Sequence, residues 1–501
     1  MKKYWNKRLW VVGVLLIVAI APLVLQRPEA VSRSKADEVL VVMTPHNETI
    51  RSEFGVAFNR YWKQKTGKSV YIDWRTPGGS SEIRMVLDRK FDAATEGEGV
   101  GLDVFFGGGE FIYEKMAQAG RFEKLEVFTK QSQWFEGEHG IPKQYTGEAF
   151  YDDEQYWVGV CVAQFGICYN VDGLKRIGVD PPASWDDLGD PKYFGKIALA
   201  DPTKSGSVAR AFEMLVQQKI QLALARTKRE PGETESMRRL RSIRIGWAEG
   251  LNLIQKIAAN ARYFTDSAAK IPHDVAQGDA VAGMCIDFYG RTYHEKLKKA
   301  DGSSRLQWVA PSGGTSIGVD PVAVFREAPN KTLAQGFVEF LLTEEGQVLW
   351  NKKVGTENGP ECRSLRRLPI RPAVYTAKNL KDFSDPIDPF KEAPLFVYQG
   401  DITGPVFDSL RTIIKSMCID AHSELQEAWA SLARSGFPKR AGEHFHDVSY
   451  ASYDKARGEI QGQLRSESKL EVVEMSKRMT GVFRRLYSET RDLEVEVSNE
   501  K

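Results

Sequence analysis

The 501-residue sequence predicts an α/β protein of two lobes with extra C-terminal helices. Three observations carry that expectation. Over residues 39–125, β-type apolar runs alternate with amphipathic helical stretches, the pattern of an open, mainly parallel sheet. The chain is too long for one small core, so two lobes are the natural division. From residue 413 to 487 the pattern turns mostly helical, broken near 436–446.

The elements follow in order. Residues 38–43 form a first strand, and 50–65 a helix with Phe54, Phe58, Tyr61 and Trp62 on one side, stopped by Gly67. Residues 69–74 form a second strand, followed by the turn Thr76-Pro77-Gly78-Gly79-Ser80-Ser81 and a helix over 82–89. A third strand over 102–106 ends in Gly107-Gly108-Gly109 before another helix. The long β-like run at 156–169 can connect two lobes; strands at 196–200, 280–286, 306–310 and 321–325 and a helix at 331–342 complete the frame. Residues 217–244 are basic and interrupted by Pro231 and Gly232, which reads as a solvated surface insertion, with a basic contact surface as the lesser option.

Composition narrows the function classes. Hydrophobic content of 42% and charged content of 27% describe an ordinary globular protein, and a net charge of +2 gives no reason to expect a nucleic-acid partner. Lys2, Lys3, Lys7 and Arg8 precede 17 uncharged residues, 9–25. As a helix that run is about 25 Å long, short against a bilayer core of about 30 Å. The basic flank stays inside and directs the rest to the periplasmic or extracytoplasmic face, with a cleaved signal peptide and a retained membrane anchor both open. Five cysteines, without a CxxC spacing, exclude complete internal pairing and a zinc or redox motif of that type. No GxSxG, HExxH or SxxK arrangement points to a hydrolase, so no enzymatic activity is expected.

Ligands of open α/β sheets sit beyond the carboxyl ends of strands, where helix N-termini point. Five polar loops occupy such places: His46-Asn47-Glu48, Gly78-Gly79-Ser80-Ser81, Gly107-Gly108-Gly109, Ser205-Gly206-Ser207 and Asp287 to Arg291. Glycine lets backbone approach a ligand, and hydroxyls with free helix N–H groups receive an anion. Each residue also has a structural alternative. His46 could pack a helix start, Asp287 and Arg291 could pair with each other, and Tyr289 could belong to the core. His444 and His446 are more simply read as a solvated turn than a metal pair.

The stretches LDVFFGGGEF, WVGV followed by GICYN, PPASWDDL, DPKYFGKIALADPTKSGS and VDPVAVFREAPNKTLAQGFVEFLLTEEGQ occur in order between residues 102 and 347. With the first strand and its loop, they resemble the extracellular solute-binding proteins of ABC importers, within the group that includes periplasmic ferric-ion-binding proteins. The resemblance implies a type II periplasmic-binding-protein-like fold with hinge strands. One lobe would span residues 39–158 and 312–358, and the other 159–311 and 359–501, after an N-terminal segment 1–38. It also implies a cleft ligand delivered to an ABC permease by a monomeric protein needing no cofactor. His46 matches the family's first-strand histidine, and Ser205-Gly206-Ser207 its anion-binding helix start. The loop from Asp287 lacks the family's adjacent tyrosine pair, and Gly107 and Gly108 stand where its acidic residue would be, with Glu110 slightly late.

The expected ligand-binding residues are therefore His46, Asn47, Gly79, Ser80, Ser81, Gly108, Ser205, Gly206, Ser207, Asp287, Tyr289 and Arg291. His46, Asp287 and Tyr289 could supply a partial set for Fe(III) carried with an anion. Arg291 and the Gly/Ser turns favour a small organic anion or oxyanion instead, and Trp74 with Tyr289 could stack on a cation. A membrane-tethered sensor ectodomain is the alternative to a transport role.

Overall fold

β1 (Glu38–Met43) buries Leu40, Val42 and Met43 and pairs in parallel with β2 (Val70–Arg75) and β3 (Val104–Phe106). Helices α1 (Glu48–Thr66), α2 (Ser80–Ala93) and α3 (Glu110–Gln118) follow these strands in turn. α1 brings Phe54, Phe58 and Trp62, each four residues apart, onto the core. Gly67, in the left-handed region at φ +80°, ends it by donating its N–H to the Lys63 carbonyl. The coordinates, a computed structural model, describe residues 32–499 apart from 96, 392–394 and 467. The expected signal or anchor run at 9–25 lies outside the described residues. Among those described, no helix is long and apolar enough to cross a membrane.

The chain continues through β4 (Val158–Asn170), β5 (Ile197–Ala200), α4 (Gly206–Arg226), α5 (Glu235–Ala259), β6 (Ala261–Thr265) and α6 (Lys270–Gln277). Next come β7 (Ala282–Ile286), α7 (Asp287–Lys296), β8 (Leu306–Val309), β9 (Ile317–Val324), α8 (Lys331–Leu342) and β10 (Leu368–Pro369). The strands form one mixed sheet in the order β2-β1-β3-β9-β4-β7-β5-β6, with β8 and β10 also pairing with β4. β4 is the element shared by the two lobes. Its residues 158–164 pair antiparallel with β9, and its residues 165–169 with β7.

Two large apolar clusters divide at that strand. The first runs from Leu40 to Val162 and resumes from Ile317 to Ile370; the second runs from Ile167 to Leu306 and takes in Ile402 to Tyr487. Leu365, Leu368 and Ile370, past the position where the second lobe was expected to resume, bury their side chains in the first cluster. The C-terminal helices α9 (Phe407–Ile414), α10 (His422–Arg434) and α11 (Lys469–Asn499) pack on the second lobe, with Leu410, Leu425, Trp429, Phe483 and Tyr487 buried there.

Residues 217–244 are not a solvated insertion. They complete α4 and begin α5, joined by the exposed loop 227–234, and they bury Gln217, Gln218, Ile220, Ala223, Ser242 and Ile243. The backbones meet closely: a Cβ on Gly246 would lie 2.3 Å from the Ile220 Cα, and one on Gly250 would lie 2.9 Å from the Val216 Cα. The basic residues that suggested an insertion lie on the two packed helices and on the loop that joins them, several of them in ion pairs such as Arg226–Glu249 and Arg241–Glu233. Among the described cysteines all five are free thiols, with only Cys362 exposed. His444 lies 3.3 Å from Glu489 and His446 beside Gln255, so the two imidazoles do not share a metal position.

Candidate functional site

A cavity of about 620 Å³ lies between the lobes. Six helices begin on its wall: the residues preceding their first turns, Asn47, Gly79, Gly109, Ser205, Ala269 and Ile286, all line it. First-turn N–H groups have no acceptor within their own helix, and each helix start carries a partial positive charge. The local sequences explain the starts. Asn47 Oδ1 accepts from Ile50 N at 3.1 Å, and Ser205 Oγ from Val208 N at 3.4 Å, as polar N-caps do. At Gly79 and Gly109, which line the cavity with backbone alone, no side chain among the described residues caps the helix.

The floor belongs mainly to the first lobe and the hinge strands. Ala163 and Phe165 of β4, Ile286 of β7 and Val319 of β9 supply an apolar base. Beside them stands a buried ionic pair, Arg367 with Asp320, in which the guanidinium also donates to the Cys161 sulfur at 3.3 Å and lies 4.0 Å from the Phe288 ring centre. Burial raises the Asp320 carboxyl above its usual range, while Arg367 pulls it back down. His46 Nδ1 is 4.0 Å from Asp320 Oδ2, and its ring packs edge-on against Phe106, with centroids 4.5 Å apart. Burial and the Arg367 charge hold this imidazole well below its ordinary pKa, so it is neutral. Its Nε2 has no hydrogen-bond partner among the described residues and presses on Gly107, where a Cβ would come within 2.2 Å of it. Gly107 is at φ +85°, so sterics and backbone both demand glycine there. Tyr289, in the first turn of α7, reaches across to the Asn47 side chain, and burial raises its phenol above the usual range.

The rim is built from facing turns. Gly79-Ser80-Ser81 of the first lobe meets Ser205-Gly206-Ser207 of the second: a Cβ on Gly206 would lie 3.5 Å from the Ser80 Cβ, and one on Gly79 3.4 Å from the Lys204 carbonyl oxygen. Gly108, at φ +100°, sits against Ser80, whose Oγ would be 3.3 Å from a Cβ. On one side Arg210 of α4 crosses to the first lobe. It holds Glu110 at 2.8 Å and Glu148 at 2.7 Å while pairing with its own helix neighbour Glu213 at 2.5 Å. Ser316 Oγ donates to Glu148, and Tyr398 Oη and Thr403 Oγ1 donate to Glu213. Burial first, then the neighbouring Glu110 and Glu213 against the pull of Arg210, raise the Glu148 carboxyl to about 8.

Ten of the twelve expected ligand residues line the cavity: His46, Asn47, Gly79, Ser80, Ser81, Gly108, Ser205, Gly206, Ser207 and Tyr289. Asp287 and Arg291 do not. Asp287 is buried behind the wall, accepting from Arg291 Nη2 at 2.7 Å and from the Phe288 N–H at 2.8 Å, and Arg291 turns on to the Arg366 carbonyl and Asp385. Their i,i+4 spacing on α7 makes this ion pair the local outcome. Trp74 also lies off the wall, packed near Phe106. The set proposed for Fe(III) is thereby reduced to His46 and Tyr289. Among the described residues no group of three or more His, Cys, Asp or Glu side chains could hold a metal ion. That is fewer oxygen donors than a hard trivalent cation requires from the protein alone.

Several wall residues belong to none of the five expected loops: Glu110, which the resemblance had noted only as slightly late, and Arg210, Arg367, Phe407 and Arg411. For Arg210 a signal existed, since Arg210 and Glu213 are the charged residues of an otherwise apolar helical run, V-A-R-A-F-E-M-L-V. An ionic i,i+3 pair inside such a run must be satisfied from another element.

The comparisons with known proteins agree with this architecture. The family described as bacterial extracellular solute-binding protein matches residues 100–359, just over half of the chain. An uncharacterised protein of Haemophilus influenzae is 24% identical over 249 residues, covering 49% of this chain and 60% of that protein. The phosphoglycerate transport regulatory protein PgtC of Salmonella typhimurium is 22% identical over 293 residues, covering 54% and 65% respectively. The matched region thus spans less than two thirds of either relative. Among solved structures, one described as an extracellular solute-binding protein of Bordetella parapertussis has a TM-score of 0.50 at 14% identity, covering 76% of this chain and 99% of that one. The periplasmic binding protein AfuA of Actinobacillus pleuropneumoniae, with bound fructose-6-phosphate, has a TM-score of 0.49 at 17% identity, covering 73% and 90%. This is a family of solute binders and not of catalysts. The chain belongs to the bacterial extracellular solute-binding protein family.

Proposed function

We propose that the protein captures a small organic anion in the cavity between its lobes, on the periplasmic or extracytoplasmic face, and delivers it to the permease of an ABC importer. The observation that carries this reading is the convergence of six helix starts on one cavity. The partial positive charge of these starts, with first-turn N–H groups that no described side chain caps at Gly79 and Gly109, favours an anion without adding a mobile counter-ion. The cavity of about 620 Å³ is in the size range of sites for organic ligands, and its floor is apolar, which suits an organic body better than a bare oxyanion. The name of PgtC, which refers to transport of a phosphorylated acid, is in keeping with this class. Capture works by closure about β4: a ligand that touches both rims stabilises the closed arrangement by as much as it prefers that arrangement to the open one.

A thermal-shift and calorimetry panel tests the reading. It would contain 3-phosphoglycerate, fructose-6-phosphate, citrate, inorganic phosphate, Fe(III)-citrate and spermidine. An organic anion should raise Tm by several degrees at high excess, because only the folded chain binds it. A shift produced by spermidine alone, or by Fe(III) alone with a phenolate charge-transfer band, would overturn it.

A second reading, presentation of the solute to a signalling partner, draws on the regulatory designation of PgtC. Uptake of radiolabelled ligand by vesicles holding the permease separates the two: a sensor would leave uptake unaffected by its removal.

A further inference from the structure

α9 lies beyond the part of the chain that matches the family, yet it lines the cavity through Phe407 and Arg411. Its core contacts place it with the second lobe, through Leu410, Ile413 and Ile414. Its other face touches the first lobe at three points. Arg411 Nη2 donates to Ser81 Oγ at 2.7 Å, Asp408 faces Arg84 at 3.5 Å, and the Phe407 and Phe111 rings stand 4.9 Å apart. Arg411 is tied as firmly to its own side. Nε donates to the Pro202 carbonyl at 2.7 Å, Nη2 to the Thr203 carbonyl at 2.8 Å, and Nη1 to Asp408 at 3.2 Å.

We propose that the C-terminal extension is a clasp on the binding cleft, in which Arg411 is the positioning residue that holds the α2 helix start of one lobe against the α4 helix start of the other. The chemistry favours arginine for this place. A rigid guanidinium fork can serve two backbone carbonyls of the Pro202–Thr203 turn and one hydroxyl at once, which a lysine ammonium on a flexible stem does less well. The carbonyls lie one residue, Lys204, before Ser205-Gly206-Ser207, and Ser81 belongs to the opposing turn, so the fork fixes the spacing of the two rims that would grip an anion. Opening the cleft must break the Ser81 bond, separate the Phe407–Phe111 pair and part Arg84 from Asp408. The Arg411–Pro202 and Arg411–Thr203 bonds, which lie within one lobe, survive. The extension is therefore arranged to release one lobe and retain the other, as a clasp requires and a purely packing element does not.

Small-angle scattering and hydrogen exchange on the whole protein without added solute test the clasp independently of any ligand. Arg411→Ala, Ser81→Ala and Arg84→Ala should each enlarge the radius of gyration and speed exchange at residues 80–84. Arg411→Lys should restore part of the compact form. The Ser81→Ala/Arg411→Ala double variant should be no more open than Arg411→Ala alone, since Arg411→Ala already removes the bond that Ser81→Ala removes. Calorimetry with 3-phosphoglycerate and inorganic phosphate should then show about tenfold weaker binding in Arg411→Ala for whichever probe binds. If Ser81→Ala and Arg84→Ala leave the lobe separation unchanged, or if Ser81→Ala and Arg411→Ala act additively, Arg411 merely packs the extension and the clasp is refuted. Ser81 and Arg84 lie outside the core, so their variants keep the test valid even if Arg411→Ala unfolds. If neither probe binds, the anion reading suffers while scattering still decides the clasp.

Discussion

Two buried ionic clusters flank the cavity, and they are built on opposite plans. Arg367 and Asp320 pair one charge with one, inside the first lobe. Arg210 instead gathers three carboxylates, Glu110 and Glu148 from the first lobe and Glu213 from its own helix. A balanced pair within one lobe can keep its geometry whether the cleft is open or shut. A cluster with more carboxylates than cations, stretched between lobes, needs either protons or closure to remain satisfied. The first is suited to be a fixed floor and the second to respond to lobe position and pH.

Arg210 is where the largest effect is expected. Arg210→Ala strands three buried carboxylates and should cost about 3–5 kcal/mol in urea unfolding, together with a more open scattering profile. Arg367→Ala removes a buried partner too, but from a single carboxyl that burial already holds above its usual range. A loss nearer about 3 kcal/mol is expected, with no change in lobe separation. Equal opening by both variants would erase the distinction between floor and cross-lobe cluster.

Glu148→Gln sharpens the contrast. The Glu148 carboxyl is raised from its ordinary 4.5 to about 8, so the folded chain holds a proton that the unfolded chain releases. That contribution is fully present below pH 4.5 and is lost as pH rises towards 8. Glutamine imitates the protonated form, so the variant should flatten the decline of Tm between pH 5 and 8 and gain about 1 kcal/mol at the alkaline end. His46 carries the opposite sign and the smallest effect. Its lowered pKa gives stability present above 6.5 and lost as pH falls below it. His46→Phe should remove about 0.5 kcal/mol of acid sensitivity at pH 6, measured by thermal unfolding.

Much of the candidate site's lining was legible because its parts are local. Asn47 and Ser205 cap the helices they precede, and the glycines at 79 and 108 mark close backbone approach; each depends on a few adjacent residues. The misreadings share a different cause. Asp287 and Arg291 have the right chemistry for an anion site, but one helical turn places them together and satisfies each with the other behind the wall. Residues 217–244 carry a surface composition, yet Gly246 and Gly250, further along α5, let its backbone pack closely on Ile220 and Val216 of α4.

Hydrophobic period and capping are properties of short stretches, so the α/β frame, the order of strands and helices, and the polar turns at the strand ends can be read from the residues in order. That Arg210 of α4 meets Glu110 and Glu148, that Arg367 supports the floor, and that Arg411 spans from Pro202 to Ser81 depends on the folded arrangement of the chain. These partners lie tens to hundreds of residues apart. A buried charge is satisfied by whatever opposite charge or carbonyl folding brings within about 3 Å, and sequence spacing does not encode that distance.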